Sequence, residues 1–221
     1  MATSGTTSFA PDIATLIEEA FDLAGYEGRS GYEYRTAARS MNFLMAEWSN
    51  IGLNLWAIDQ DSIALVAGQQ QYDLPLDTVD VIDQCIRISD TDYRITRVGV
   101  GTWASISNKS QENNRPNQVY IERLIEPVVN VWPIPDNDNC SLVYWRLRRL
   151  EDAGTPDKTP DVPYRFLPAL SAGLAWKLAM KRREIDFNRV QMLKGAYEEQ
   201  LGMAMAEDRG RESFFIYPSK R

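Results

Sequence analysis

Residues 151–163 read EDAGTPDKTPDVP. Three prolines, one glycine and four carboxylates in this stretch leave neither helical nor strand period, so it reads as a linker. What decides the fold is the change of hydrophobic period on its two sides. Toward the C-terminus, Leu167, Leu170, Leu174, Ala175 and Leu178 fall on one helical face. A helix is therefore expected from about Asp161 to Arg183, with Pro168 confined to its first turns. A last helix, from about Asp186 to Arg209, carries Val190, Leu193, Tyr197, Leu201, Ala204 and Met205. Before the linker the period is two: Leu53, Leu55 and Ala57, then Ile63 and Leu65, alternate. Short strands are expected at 54–58, 62–66, 71–74, 79–81, 84–89, 93–98, 118–122, 128–132 and 141–147, around a polar loop at 107–117. Helical period returns at the front of the chain. Asp12 can cap a helix bearing Ile13, Leu16, Ile17, Ala20, Phe21 and Ala24, punctuated by Gly25 and Gly28. A second helix from about Tyr32 to Asn50 carries Tyr34, Ala37, Met41, Leu44, Met45 and Trp48.

The order is thus two helices, a β block and two helices. Apolar faces on both helical pairs need partners, and packing the pairs together is the simplest solution. The expected class is α+β: a helical bundle built from N- and C-terminal helix pairs, with an inserted antiparallel β domain. The expected divisions are a flexible 1–11, a discontinuous bundle of 12–58 and 159–212, a β domain of 59–150, a linker of 151–158, and an extended tail of 213–221.

Composition narrows the chemistry. The chain has 221 residues, 44% hydrophobic and 25% charged, which is ordinary globular usage. No apolar run approaches the ~20 residues of a membrane span, and the start, MATSGTTSFAPD, lacks the basic and apolar regions of a secretory signal. Two cysteines, Cys85 and Cys140, without a CxxC, point to neither a disulfide framework nor zinc. The absence of histidine removes the commonest general base and metal ligand. Net charge is −7, distributed as −5 over residues 1–60, −3 over 61–150 and +1 over 151–221. That balance argues against a surface that grips nucleic acid.

Individual motifs carry little chemistry. Gly99-Val100-Gly101-Thr102-Trp103-Ala104 mimics a dinucleotide fingerprint, but the residues after it show no helical period and the fingerprint needs a helix N-terminus. Asp136-Asn137-Asp138-Asn139 resembles the opening of a calcium loop, yet Cys140 and Ser141 occupy ligand and glycine positions, so it reads as a hairpin turn. Glu18/Glu19 and Glu198/Glu199 are adjacent on helices and diverge by about 100°, as solvated surface does. Lys177, Lys181, Arg182 and Arg183 stand where cations complement a helix C-terminus. No catalytic residue, metal ligand or cofactor site is expected.

Several stretches together resemble one family. They are NFLMAEWSNIGLNLW (42–56), AGQQQYDLP (67–75), Arg115-Pro116 followed by QVYIER (118–123), VNVWPIPD (129–136), LVYWRLRRLED (142–152) and DVPYRFLPALSAGLAWKLAMK (161–181). In order and spacing they are similar to the head-to-tail adaptors (connectors, gatekeepers or tail tubular protein A-like proteins) of tailed bacteriophages, over about residues 12–210. One departure is Asn114, where glycine is expected before Arg-Pro. The resemblance implies a homo-oligomeric ring, usually of twelve subunits, docked under the portal protein and carrying the tail nozzle or hub. Double-stranded DNA would pass through its channel without sequence-specific binding. It further implies a virion neck or tail location, assembly in the host bacterial cytoplasm, and no membrane. An alternative is a tail-associated peptidoglycan-degrading glycosidase using a carboxylate pair, which needs no histidine.

Within that frame two groups of residues stand out. An acidic channel would draw on the helical hairpin or on 77–92, with Asp77, Asp80, Asp83, Asp90 and Asp92. Beyond the last helix, Phe214, Phe215, Ile216 and Tyr217 form an apolar run stopped by Pro218, with Arg209, Arg211 and Glu212 before it. Four large apolar residues beyond a completed core suit an anchor for the portal or a neighbouring subunit.

Overall fold

The computed structural model describes residues 5–27, 31–51 and 55–208. It is α+β, and its contacts divide into two units: Met1–Trp56 with Leu150–Arg221, and Ala57–Arg149. Just after the start of the second unit, Ile58 pairs with Leu147 in a strand.

The helical unit contains α1 (Ile13–Ala24), α2 (Gly31–Ile51), α4 (Leu167–Ala179) and α5 (Phe187–Glu207). Asp12 caps α1, accepting from the Thr15 amide at 2.8 Å. Gly25 ends it at φ 88°, and its N–H returns to Phe21 and Asp22, as a left-handed C-cap requires. The helix expected from Asp161 starts later. Tyr164–Phe166 make a 3₁₀ turn, and Pro168 takes one of the first two positions of α4, where its missing N–H breaks no helical bond.

Nine of the thirteen residues of α4 are buried, and α1, α2 and α5 all pack on it. A helix buried nearly all round needs a small residue where its neighbours come closest. Gly173 is that residue: a Cβ there would stand 2.8 Å from Leu44 on α2 and 2.8 Å from the Tyr197 ring on α5. Across this contact Trp48 donates to the Tyr197 hydroxyl at 2.9 Å, and Trp176 stacks on Tyr197. Phe166 fills the remaining space against Trp48 and Trp56.

Residues 151–163 have no strand and no α-helix, yet they are tied down. The Ile13 and Ala14 amides donate to the Lys158 and Pro156 carbonyls, at 2.8 and 3.0 Å. Ala153 N–H reaches the Asn42 side chain, and the Trp56 indole reaches the Asp161 carbonyl. The first turn of α1 thus gives two of its orphan donors to this segment.

The β unit holds β1 (Ile58–Ala64), β2 (Gln71–Asp73), β3 (Thr78–Ile88), β4 (Thr91–Arg94), β5 (Thr96–Arg97), a short α3 (Val100–Ser105), β6 (Glu112–Asn113), β7 (Gln118–Glu122), β8 (Val128–Trp132), β9 (Ile134–Pro135) and β10 (Cys140–Arg148). One sheet has the order β1-β10-β3-β4, a second β2-β8-β7-β5, and β6 pairs with β9. Both four-stranded sheets contribute to one core, including Ile86, Leu142 and Tyr144 from the first and Tyr72, Val119, Val129 and Val131 from the second. The expectation of a purely antiparallel block needs correction. β5 runs parallel to β7 and β6 parallel to β9, two-residue pairings too short to leave a period in the sequence.

Two further differences have local causes. The segment after Gly99 does form a helix, α3, whose six residues are too few for periodicity and whose Trp103 stacks on Tyr120 of β7. The polar loop 107–117 contains β6, and Asn114 there accepts from Asn137 Nδ2 at 2.7 Å. Asn114 does not adopt a positive φ, which accounts for the missing glycine.

In the stretch VVNVWPIPD, Val128–Trp132 form a buried inner strand, β8, and the Trp132–Pro133 bond that follows it is cis. Asn130 is satisfied inside it by Glu122 at 2.9 Å. The turn at 136–139 joins β9 to β10; Asp138 accepts from the Ala67 amide at 2.6 Å.

Glycine substitutions give a test with opposite signs. Gly173→Ala forces Leu44 and Tyr197 apart and should destabilise by about 1–3 kcal/mol in chemical denaturation. Gly195 and Gly202 lie on α5, where an added Cβ meets nothing within 4 Å. Gly195→Ala and Gly202→Ala should therefore each stabilise by about 0.5–1 kcal/mol.

Candidate interaction surfaces

The five acidic candidates lie on β3, on β4 or in the turns that flank β3, and arginines meet three of them. Asp77 accepts from Arg146 at 2.6 Å, and Arg146 and Arg148 also approach Asp59, at 3.8 and 3.2 Å. Asp80 is bridged by Arg97 at 2.7 Å and Arg123 at 3.1 Å. Partial burial pushes the Asp80 carboxyl up, but bonds from Arg97, the Val81 amide and Arg123 outweigh it and hold the group below the usual carboxylate range. Asp92 takes a two-pronged contact from Arg87, at 2.6 and 2.8 Å, which holds it low as well. Asp83 accepts from the Gln84 amide at 2.9 Å. Asp90, with Ser89, turns β3 into β4 at φ 64° and 47°, the paired positive φ of a tight hairpin. Three of the five are therefore compensated within the chain.

The helical hairpin differs. Glu18, Glu19 and Asp22 are exposed on α1, and no described lysine or arginine lies within ion-pair distance of them. Glu198 is paired instead with Lys194 one turn earlier, at 3.4 Å.

Three of the four residues of the basic cluster at the C-terminal end of α4 meet α2. Lys177 meets Glu47, Lys181 donates to Ser40, and Arg182 pairs with Glu33 while lying 4.5 Å over the Tyr26 ring. Burial, then the nearby Arg39 and Lys177 charges, pushes the Lys181 ammonium down. Glu33, Ser40 and Glu47 are seven residues apart, two turns of one helix face. That spacing is the sequence signal for this seam, and reading the cations as dipole partners alone overlooks it.

Arg209, Arg211, Glu212, Phe214, Phe215, Ile216 and Tyr217 lie outside the described residues. Their point of departure is described. Asp208 ends α5 with its side chain 2% exposed and bonded to Arg165, whose guanidinium lies over the Phe166 and Trp56 rings at 5.6 and 5.9 Å. Nothing in the sequence pattern singles out that pair.

A second feature missed from sequence is apolar. Leu76, Leu124 and Ile125 are 69, 62 and 97% exposed, in the turns before β3 and between β7 and β8. The signal was present: a Leu-Ile pair at a turn, where polar turn formers are favoured.

Among the described residues no cluster of carboxylates and cysteines suits a metal, and no helix is long and apolar enough to cross a membrane. Both cysteine thiols are buried and unpaired with each other, and burial pushes them up.

A model of the SU10 adaptor protein family matches residues 11–216, spanning both units. No curated protein matches the chain.

The Asp80 site predicts a pH dependence. A carboxylate held below its unfolded value stabilises the fold above about pH 4, and that contribution is lost as pH falls through the folded value. Asp80→Asn should lower stability at pH 7, with the difference from wild type narrowing as unfolding is measured toward pH 3.

Proposed function

The chain belongs to the SU10 adaptor protein family of phage head-to-tail adaptors, and we propose that it works as a ring joining the portal protein to the tail nozzle. Family membership makes it a structural virion protein of the neck that associates with other head and tail proteins. The finer reading is a ring, of twelve subunits, assembled in the host cytoplasm, with DNA passing through its bore. The single observation that supports it is the extent of the match, which runs through the helical unit, the β unit and on to Ile216. In the proposed architecture the N- and C-terminal helices make one bundle that serves as the ring's body, and the β unit is its insertion.

Charge supports the bore. A ring multiplies the net −7 of each chain, and a like-charged wall lets DNA slide without releasing condensed counterions. Of the two candidate acidic surfaces, α1 fits better, because Glu18, Glu19 and Asp22 have no cationic partner among the described residues, whereas Asp77, Asp80 and Asp92 are paired with arginine. The tail, residues 213–218, is proposed to contact the portal or the adjacent subunit.

Electron microscopy of the purified protein with and without its portal is the test. Twelvefold rings on portal particles are expected; a protein that never joins the portal would refute the reading. Truncation after Arg211 should leave a folded monomer absent from such rings. Purified protein should not clear peptidoglycan, and a lytic band lost on replacing one Glu or Asp would replace the adaptor reading with the glycosidase. Reversing α1 with Glu18→Lys, Glu19→Lys and Asp22→Lys should make rings retain duplex DNA at salt where wild-type rings release it.

A further inference from the structure

A trough of about 940 Å³ opens on the β unit between the β2–β3 turn and the β7–β8 turn. Leu76, Leu124, Ile125 and Pro127 give it apolar walls, and Asp73 and Glu126 lie on it without a cationic partner among the described residues. Arg123, the one base of the β7–β8 turn, is already held by Asp80. Three exposed large apolar side chains beside two uncompensated carboxylates describe a surface suited to a basic, apolar segment.

The backbone beside the trough also lacks a partner. Among the described residues β2 is the edge of its sheet, and β8 alone pairs with it. Ladder bonds from Val131 to Gln70 and from Leu74 to Pro127 fix the phase of the pairing. In that phase residues 71 and 73 turn their backbone groups away from β8, toward the open edge. No lysine or proline within β2 blunts it. A strand added there would run along the trough.

The chain itself contains a segment of matching chemistry. Residues 209–221 carry four basic residues and one acidic residue around SFFIYP. The segment is rooted at Asp208, pinned by Arg165, and its thirteen residues reach about 40 Å when extended. Phe, Ile and Tyr in succession favour an extended strand, and Pro218 ends it.

We propose that the trough is the receptor for residues 213–218 of a second copy of this chain. The segment adds as a strand at the β2 edge, so alternate side chains share a face, and Phe215 and Tyr217 lie against Leu76, Leu124 and Ile125. The flanking arginines and lysine lie near Asp73 and Glu126. Tail and trough are different surfaces of one chain, so their pairing is heterologous, and a heterologous contact that closes makes a ring. The choice of a neighbouring copy as donor rests on the ring reading above.

The test uses the full chain, alone and with portal, carrying a photo-reactive benzoylphenylalanine in place of Phe215. A mixture of ¹⁴N- and ¹⁵N-labelled chains separates contacts within a chain from those between chains. Cross-links to residues 71–76 or 124–128 of a differently labelled chain are expected. They should fall about tenfold or more in Ile125→Asp and in Leu124→Asp, exposed turn residues whose replacement leaves the fold intact by circular dichroism. Phe43→Asp, an equally exposed site on α2, should leave the yield unchanged. Cross-links confined to one chain, directed to other surfaces, or unaffected by Ile125→Asp overturn the proposal. The trough cross-link in a protein that never joins the portal would count against the adaptor reading alone; portal-bound rings without it would count against this proposal alone.

Discussion

The helical unit depends on α4 being enclosed. Its buried residues leave almost no solvent face, and no neighbour in the linear chain can cover it alone. α1 and α2 come from the first 51 residues, and α5 follows it directly. Gly173 is where this enclosure is tightest, since α2 and α5 approach its Cα from two sides. The first 56 residues therefore cannot bury their apolar faces until the chain has passed through the whole β unit and returned. That detour matters little at equilibrium, because each doubling of a closed loop adds only about 0.6 kcal/mol. The β unit, contiguous from Ala57 to Arg149, has no such dependence and finds all its strand partners within itself.

How much of this was legible follows from the same physics. Helices of twelve or more residues announced themselves through period, and the cap at Asp12 and stop at Gly25 were readable because their residue types act locally. β1 was not readable as one strand. Asp59 and Asp61 interrupt its apolar pattern, and only the fold supplies Arg146, Arg148 and the Tyr144 hydroxyl that make them tolerable there. Tyr144 is pushed up to about 12 by burial and by the Asp61 charge, so it remains a hydrogen-bond donor at any ordinary pH. α3 and the parallel pairs escaped because two to six residues carry no usable period. The carboxylates of the 77–92 segment were visible as letters, but their partners at 97, 123 and 146 are set by register, which sequence does not print.

Those partners change what the negative charge means. At Asp77, Asp80 and Asp92 the carboxylate's field is offset by an arginine, and the pair acts as a staple: Asp80 joins β3 to β5 and to the β7–β8 turn. On α2 the same device appears in a different geometry, with Glu33 and Glu47 holding the C-terminal end of α4 and its following turn. Exposed pairs of this kind contribute at most about 1 kcal/mol each, so their value here is geometric more than energetic. Glu18, Glu19 and Asp22 on α1 have no such partner among the described residues, and the helix itself carries no base.

The two ends of β8 divide in the same way in apolar terms. At its C-terminal end, Trp132 gives its indole N–H to the Asn108 carbonyl, Pro135 continues into the β6 pairing, and Asn137 bonds Asn114. Prolines there offer no donor to a visiting strand, and the polar groups are already matched. At the N-terminal end the chain does the reverse, placing Leu124 and Ile125 in solvent beside an unpaired strand edge. A turn under selection for solubility alone would carry Asn, Asp or Gly in place of a Leu-Ile pair. One end of the strand is closed against contact, and the other is built for it.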